Sequence, residues 1–286
     1  MDDGGESTAM RSPETLPPDN HVHTHWSWDT AESSTMRRAC ERAVKLGLPA
    51  IAFTEHLDFT VWDPDDRATD EGLVERHASR HADIDVAGYF AELAEVRDRF
   101  PGLRILSGVE TGEPHLFSAS VGAYLRDAPV DRVLGSLHSL AKDGRLYGVG
   151  HLLWEDAEGT MRRFLGELVD MIETSDVFQV LAHVDFPRRY WPGGTHRYVE
   201  KTYEEEYRAV FRALASTGRA LEVNTNSPLA SVDQVRWFRE EGGEAVSFGS
   251  DAHQPAAVGQ HFAVAVDVVE AAGFRPGRDP LDFWRR

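Results

Sequence analysis

The chain has 286 residues, of which 41% are hydrophobic and 27% charged; this is ordinary globular usage, which argues against a disordered or fibrous protein and leaves ample chain for a core. Forty-eight acidic residues against 30 basic ones give a formal net charge of −18, a field that repels phosphate backbones and anionic lipid, so long nucleic acids and membranes are poor partners and small substrates fit better. The single cysteine, Cys40, rules out a disulfide framework or a thiolate zinc cage. No apolar run approaches the roughly 18 residues that span a bilayer and the acidic N-terminus lacks a signal-peptide core, so the sequence reads as cytoplasmic.

Residues 1–18, rich in Gly, Ser, Pro and Asp, read as a disordered leader. From Asp19 onward short apolar runs alternate with stretches of three- and four-residue apolar spacing, the pattern of βα units. A strand over 20–22 is followed by a helix over 34–46, stopped by Gly47 and Pro49, and by a strand over 50–53. Residues 60–85 break the rhythm; a polar connection of that length reads as a lid. Then come a helix over 86–100, a strand over 104–109, a helix over 113–126 and a strand over 132–136. A helix over 161–174, a strand over 178–182, a helix over 198–217 and a strand over 220–223 follow, and helices over 231–241 and 256–272 flank a strand over 245–248. Seven successive units predict a single α/β domain over 19–286 with a parallel sheet, closed into a barrel or open; periodicity leaves that choice open.

The chemistry-bearing side chains follow the strands: His21, His23 and His25, then Glu55 and His56, Glu110, His138, His183 and Asp185, Asn224 and Asn226, and finally Asp251 and His253. Parallel strands open their C-terminal ends on one face, so these residues converge. Imidazole and carboxylate without cysteine suit Zn, Mn or Fe in an open site, and the period-two spacing of His21 and His23 aims both rings to one side. Other histidines have plainer readings: His77 and His81 as solvated helix residues, and His115, His151, His196 and His261 without a role. Trp26, Trp28 and Trp62 read as packing residues or as the wall of a pocket.

The run Asp19-Asn20-His21-Val22-His23-Thr24, with Ser27 and Asp29 behind it, resembles the first motif of the PHP superfamily, the polymerase and histidinol phosphatase fold. Phe53-Thr54-Glu55-His56, Gly108-Val109-Glu110, Gly135-Ser136-Leu137-His138, Leu181-Ala182-His183-Val184-Asp185 and Gly249-Ser250-Asp251-Ala252-His253 resemble its later motifs in order, so the resemblance spans about Asp19 to Phe274. It implies a distorted (β/α)7 barrel and two to three divalent metal ions. One ion is implied on His21, His23, Glu110 and Asp251, a second on Glu110, His138 and His183 with Glu110 bridging, and a third on Asp29, His56 and His253. Many relatives carry histidine at the Asp29 position; aspartate is a harder ligand, which favours manganese or iron there. Chain length and the basic pair Arg188 and Arg189 resemble the histidinol-phosphatase branch, with the two arginines binding phosphate through their planar forks. The implied activity is hydrolysis of a small phosphorylated metabolite, histidinol phosphate first, with His253 or Asp185 protonating the leaving oxygen. The alternatives are a phosphoesterase of nucleotides or short oligonucleotide ends and, more remotely, a non-catalytic metal-binding barrel.

Overall fold

The computed structural model of the chain describes residues 16–60, 84–193, 197–226, 228–279, 281 and 283–286. The lid reading therefore falls almost entirely outside the described residues, as does most of the leader. Leu16 packs against the core and Pro17 and Pro18 are buried, so the last three residues of the expected leader are part of the packed chain, where Leu16 finds apolar surface to cover.

The elements run β1 (Asp19–Val22), α1 (Met36–Leu46), β2 (Ala50–Leu57), α2 (Val86–Arg99), β3 (Arg104–Gly112), α3 (Ser118–Asp127), β4 (Arg132–Ser136), β5 (Ser139–Lys142), β6 (Arg145–Gly148), α4 (Val149–Leu153) and α5 (Ala157–Thr174). They continue with β7 (Val180–Leu181), α6 (Glu204–Ser216), β8 (Ala220–Asn224), α7 (Val232–Glu240), β9 (Ala245–Gly249), α8 (Phe262–Ala271) and β10 (Trp284–Arg285). The main sheet has the order β1-β2-β3-β4-β7-β8-β9-β10, with the seven expected strands parallel and β10 antiparallel to β9. The sheet curls until its ends meet: Val22 bridges Ala252, His21 C=O accepts from the Asp251 N–H at 2.7 Å, and Ala252 C=O accepts from the His23 N–H at 2.9 Å. Lower down, β10 takes the free edge of β9 at Ala245 and Val246. This is the barrel choice, in distorted form.

Helix ends follow local chemistry. Thr35, Asp85, Asp156 and Ser231 accept backbone N–H groups at the starts of α1, α2, α5 and α7, and Gly47 ends α1 at φ +73°. Several expectations need correction: the helix expected from 198 starts at Glu204 and the strand expected over 178–182 is limited to Val180–Leu181. The hairpin β5–β6 was not anticipated, although Asp143-Gly144, both at positive φ, is a two-residue hairpin turn. The helix expected from 113 starts at Ser118, because Glu113 sits at φ +45° and spends its carboxylate on the N–H groups of His138 and Ser139 at 2.7 and 2.8 Å. The helix expected from 256 starts at Phe262, because Gly259 (φ +65°) donates its N–H to the buried Asp19 carboxylate at 2.9 Å and His261 is also left-handed.

Strands buried on both faces read as near-continuous apolar runs, and the core gathers Phe53, Val109, Leu137, Leu181, Val223 and Phe248 with inward faces of the helices. Tyr89 of α2 pins two strands: its hydroxyl donates to Phe53 C=O at 2.8 Å and accepts the Gly108 N–H at 2.9 Å. At Gly108 a Cβ would lie 2.6 Å from Thr54 Cγ2 and 2.9 Å from the Arg132 carbonyl oxygen. Gly108→Ala is therefore expected to cost about 1–3 kcal/mol in chemical denaturation, by prising β3 from β4; an unchanged midpoint would show that the strands yield freely.

Candidate metal centre

The C-terminal ends of the strands bring the expected ligands together. His21 and His23 leave β1 on one side, His56 and Glu110 lie on β2 and β3, His138 and His183 follow β4 and β7, and Asp251 and His253 follow β9. Glu110 is the hub. Its Oε1 lies 2.6 Å from His183 Nε2 and 3.4 Å from His138 Nε2, while its Oε2 lies 3.4 Å from both His21 Nε2 and His23 Nε2 and 3.1 Å from His56 Nδ1. Asp251, at φ +51°, places Oδ1 3.8 and 3.5 Å from the same two imidazole nitrogens. Asp29 Oδ2 lies 2.8 Å from His253 Nε2 and 3.4 Å from His56 Nε2. All nine expected metal ligands are thus in one contiguous cluster.

The cluster has the form of a ligand set. His21 Nε2 and His23 Nε2 are 3.0 Å apart, close to the ~3.3 Å edge of a tetrahedron with zinc–nitrogen bonds of about 2.0–2.1 Å. His183 Nδ1 is buried without a hydrogen-bond partner, while His56 Nδ1 has the Glu110 carboxylate 3.1 Å away. Three-residue groups able to converge on one point include His21, His23 and Glu110; Glu110, His138 and His183; His23, His56 and His253; and His56, Asp58 and His138. These residues fit divalent metals.

Of the supports, Glu55, Ser27 and Trp28 were named in the sequence analysis, whereas Glu222 and Asp58 were passed over. Glu222, inside β8, accepts from His21 Nδ1 at 2.6 Å. Glu55 accepts from the Thr24 N–H and hydroxyl and from the Ser27 hydroxyl, and Ser27 Oγ lies 3.1 Å from His23 Nδ1. Asp58 faces His138 Nδ1 at 3.7 Å and accepts from Trp28 Nε1 at 3.1 Å, with the Trp28 ring stacked on His56. A carboxylate within an apolar strand run, as in Ala220-Leu221-Glu222-Val223, is the signal that would have found Glu222: such a charge is buried and needs a partner.

Other expected residues divide. Arg189 reaches the cluster, donating from Nη2 to Asp251 Oδ2 at 2.5 Å and to Asn224 Oδ1 at 3.0 Å. Arg188 donates to Asp185 Oδ2 at 2.7 Å and lies over the Tyr198 ring. His25 turns away to Glu92 at 3.3 Å, beside Trp26, which donates to the same carboxylate. His115 pairs with Glu167, while His77, His81, His196 and Trp62 lie outside the described residues. A cleft of about 490 Å³ opens beside the cluster, lined by Asp29, Asn226, Asp251, His253, Gln254 and Arg38 among others.

Burial shapes the electrostatics. It would by itself raise the Glu110 carboxyl, but the charges of His21, His138 and His56 hold it well below the usual carboxylate range. Burial would lower His138, yet Glu110 and Asp58 raise it to about 10. For Asp58 burial is likewise outweighed, by His138 and His56, and the carboxyl falls to about 2. Asp185 goes the other way: burial raises it despite Arg188 and Arg189.

A family model described as the PHP domain matches residues 19–226. The histidinol-phosphatase of Lactococcus lactis is 27% identical over 247 residues, covering 82% of this chain and 83% of that protein. A "Probable histidinol-phosphatase" of Deinococcus radiodurans is 30% identical over 268 residues, covering 90% and 94%. The solved histidinol phosphate phosphatase of Lactococcus lactis, complexed with zinc, L-histidinol and phosphate, superposes with a TM-score of 0.74 at 24% identity, covering 94% of this chain and 98% of that one.

Because the folded pKa of His138 is raised, its protonated form contributes stability that is fully present below its unfolded value of 6.5 and is lost as pH rises through about 10. Chelator-treated protein is therefore expected to melt at a lower temperature at pH 10 than at pH 6.5, with a smaller drop in His138→Gln. Equal drops in the two proteins would show that the charged imidazole contributes nothing.

Proposed function

The chain belongs to the PHP domain family, and from that premise we propose that it is a metal-dependent phosphatase that hydrolyses histidinol phosphate to histidinol and phosphate, a step of histidine biosynthesis. The observation that carries the reading is the division of Glu110: one oxygen faces His138 and His183, the other His21 and His23. A carboxylate divided in this way could serve two cations at once. The substrate follows from relatives over nine-tenths of the chain, and from the complex of the Lactococcus lactis enzyme with zinc, L-histidinol and phosphate.

In this reading His21, His23, Glu110 and Asp251 would hold one divalent ion, Glu110, His138 and His183 a second, and Asp29, His56 and His253 a third, with zinc, manganese or iron suited to the imidazole and carboxylate donors. When bound, the ions supply Lewis-acid charge to the phosphoryl oxygens and acidify an attacking water. Arg189, held between Asp251 and Asn224, would offer its remaining N–H donors to a phosphoryl oxygen and offset charge as the P–O bond breaks. Arg188 keeps Asp185 in place. His253 faces Asp29 at 2.8 Å and belongs to a convergent group with His23 and His56, which leaves Asp185, outside those groups and raised by burial, to protonate the leaving oxygen. The leaving histidinol occupies the cleft beside Asp29 and His253.

The test is phosphate release from histidinol phosphate, nucleotides and p-nitrophenyl phosphate, with metals quantified and with or without chelator. Histidinol phosphate is expected to lead by at least about tenfold in kcat/KM. Fewer than two ions per chain, or full activity after chelation, would overturn the metal assignment, and a preferred nucleotide would overturn the substrate. Glu110→Gln should lose at least about 100-fold in kcat together with bound metal. Asp185→Asn is expected to lower kcat about 100-fold on histidinol phosphate while sparing p-nitrophenyl phosphate, whose leaving group needs no proton, and to keep its metals; equal losses on both substrates would remove Asp185 from the proton-donor role.

A further inference from the structure

Glu222 stands in the interior of β8, buried, and belongs to none of the groups that converge on a metal position. Its carboxylate meets three donors. Oε1 lies 2.6 Å from His21 Nδ1, and Oε2 accepts from the His183 backbone N–H at 2.8 Å and from Asn224 Nδ2 at 3.0 Å. Asn224 carries the chain of contacts on: its Nδ2 lies 3.3 Å from Asp251 Oδ2 and its Oδ1 accepts from Arg189 at 3.0 Å. Space for the carboxylate is made by Gly249 on β9, where a Cβ would overlap Glu222 Oε1 and come within 2.6 Å of His21 Cβ.

We propose that Glu222 is a positioning residue that fixes the tautomer of His21 and ties the two Glu110-bridged metal positions together, an inference that rests on the reading of the centre given above. An ionised carboxylate only accepts hydrogen bonds. His21 must therefore donate from Nδ1, so that when a cation takes the place of the second ring proton it is the Nε2 lone pair that faces His23, Glu110 and Asp251. Through its other oxygen the same side chain fixes the backbone that carries His183, a ligand of the second position.

The amide of Glu222→Gln can accept on only one side. With its oxygen kept toward the His183 N–H and Asn224, its NH2 faces His21 Nδ1; that nitrogen must then accept, and the proton moves to Nε2, where it blocks metal. With the amide turned over, the NH2 opposes the His183 N–H instead. Glu222→Ala opens room for water, which donates or accepts as needed. The tautomer argument thus orders the variants: glutamine harms metal binding more than alanine does. A residue needed only for packing gives the opposite order, because alanine removes more contact.

The experiment is a chelator-competition titration of zinc on full-length wild type, Glu222→Gln and Glu222→Ala, with melting of the chelated proteins recorded beside it. Expected are two or more ions on wild type, a 10–100-fold weaker zinc affinity in Glu222→Gln, read under conditions where its metal-free melting shows it folded, and a smaller loss in Glu222→Ala. Activity of Glu222→Gln on histidinol phosphate should rise again as zinc is raised, through kcat with KM little changed. Wild-type affinity in Glu222→Gln, or a greater loss in Glu222→Ala, overturns this inference alone. Fewer than two ions on wild type overturns it together with the reading on which it rests.

Discussion

Charge taken out of water is the constraint around which this molecule is organised. Glu110, Glu222 and Asp251 are buried beside His21, His23 and His183, with His56 and His138 only slightly more open. An isolated buried charge costs several kcal/mol even after relaxation, and removing one member of a buried pair typically costs about 3–5 kcal/mol, because the other is left uncompensated. The cluster is tolerable only as a whole, with each carboxylate oxygen facing an imidazole, an arginine or a backbone N–H. The same proximity that offsets the desolvation also makes it a place where divalent cations can replace protons, since imidazoles raised by their carboxylate neighbours, such as His138, give up those protons when a cation arrives.

The fold meets this constraint by supplying one or two cluster members from the end of almost every parallel strand. Registration between strands then matters more than any single contact. His56 is paired across from Glu110 in the β2–β3 ladder, and Glu222 lies opposite Ser247, two residues before the Gly249 that gives it room. Closure matters equally. The two backbone bonds that join β1 to the loop after β9 bring His21 and His23 against Asp251, and Asp19 reinforces that seam by accepting from the Ser250 and Gly259 N–H groups. Burial pushes Asp19 up to about 6, which marks how fully this seam is withdrawn from solvent.

A net charge of −18 is compatible with the phosphorylated substrate proposed above because the field at the site is set locally. Arg189 reaches directly into the carboxylate cluster and Arg188 stands beside it on Asp185, while further acidic side chains are spread over helix surfaces, where water and salt screen them. The overall charge disfavours extended polyanions, and in the proposed reading the local cations would favour a single phosphoryl group.

Much of the site was legible in the sequence because metal-ligand chemistry is carried by a few residue types, and because parallel strands place their C-terminal ends together. The ordered recurrence of His21, His23, His56, Glu110, His138, His183, Asp251 and His253 after successive apolar runs was enough to gather them on one face. The Asp143-Gly144 hairpin was written in the sequence as well, although strand counting passed over it. Tertiary structure alone decided the rest. Whether Glu222, Asp58 or Glu113 supports the centre depends on which distant backbone or ring comes within hydrogen-bond reach, and a carboxylate's partners up to 201 residues away leave no local periodicity. The starts of α3 and α8 moved for the same reason: Glu113 and Gly259 answer to His138 and Asp19, not to their own helices. Local sequence determines which side chains can bind metal and which strands carry them; long-range packing determines which proton each imidazole keeps and which of its two nitrogens is left for the metal.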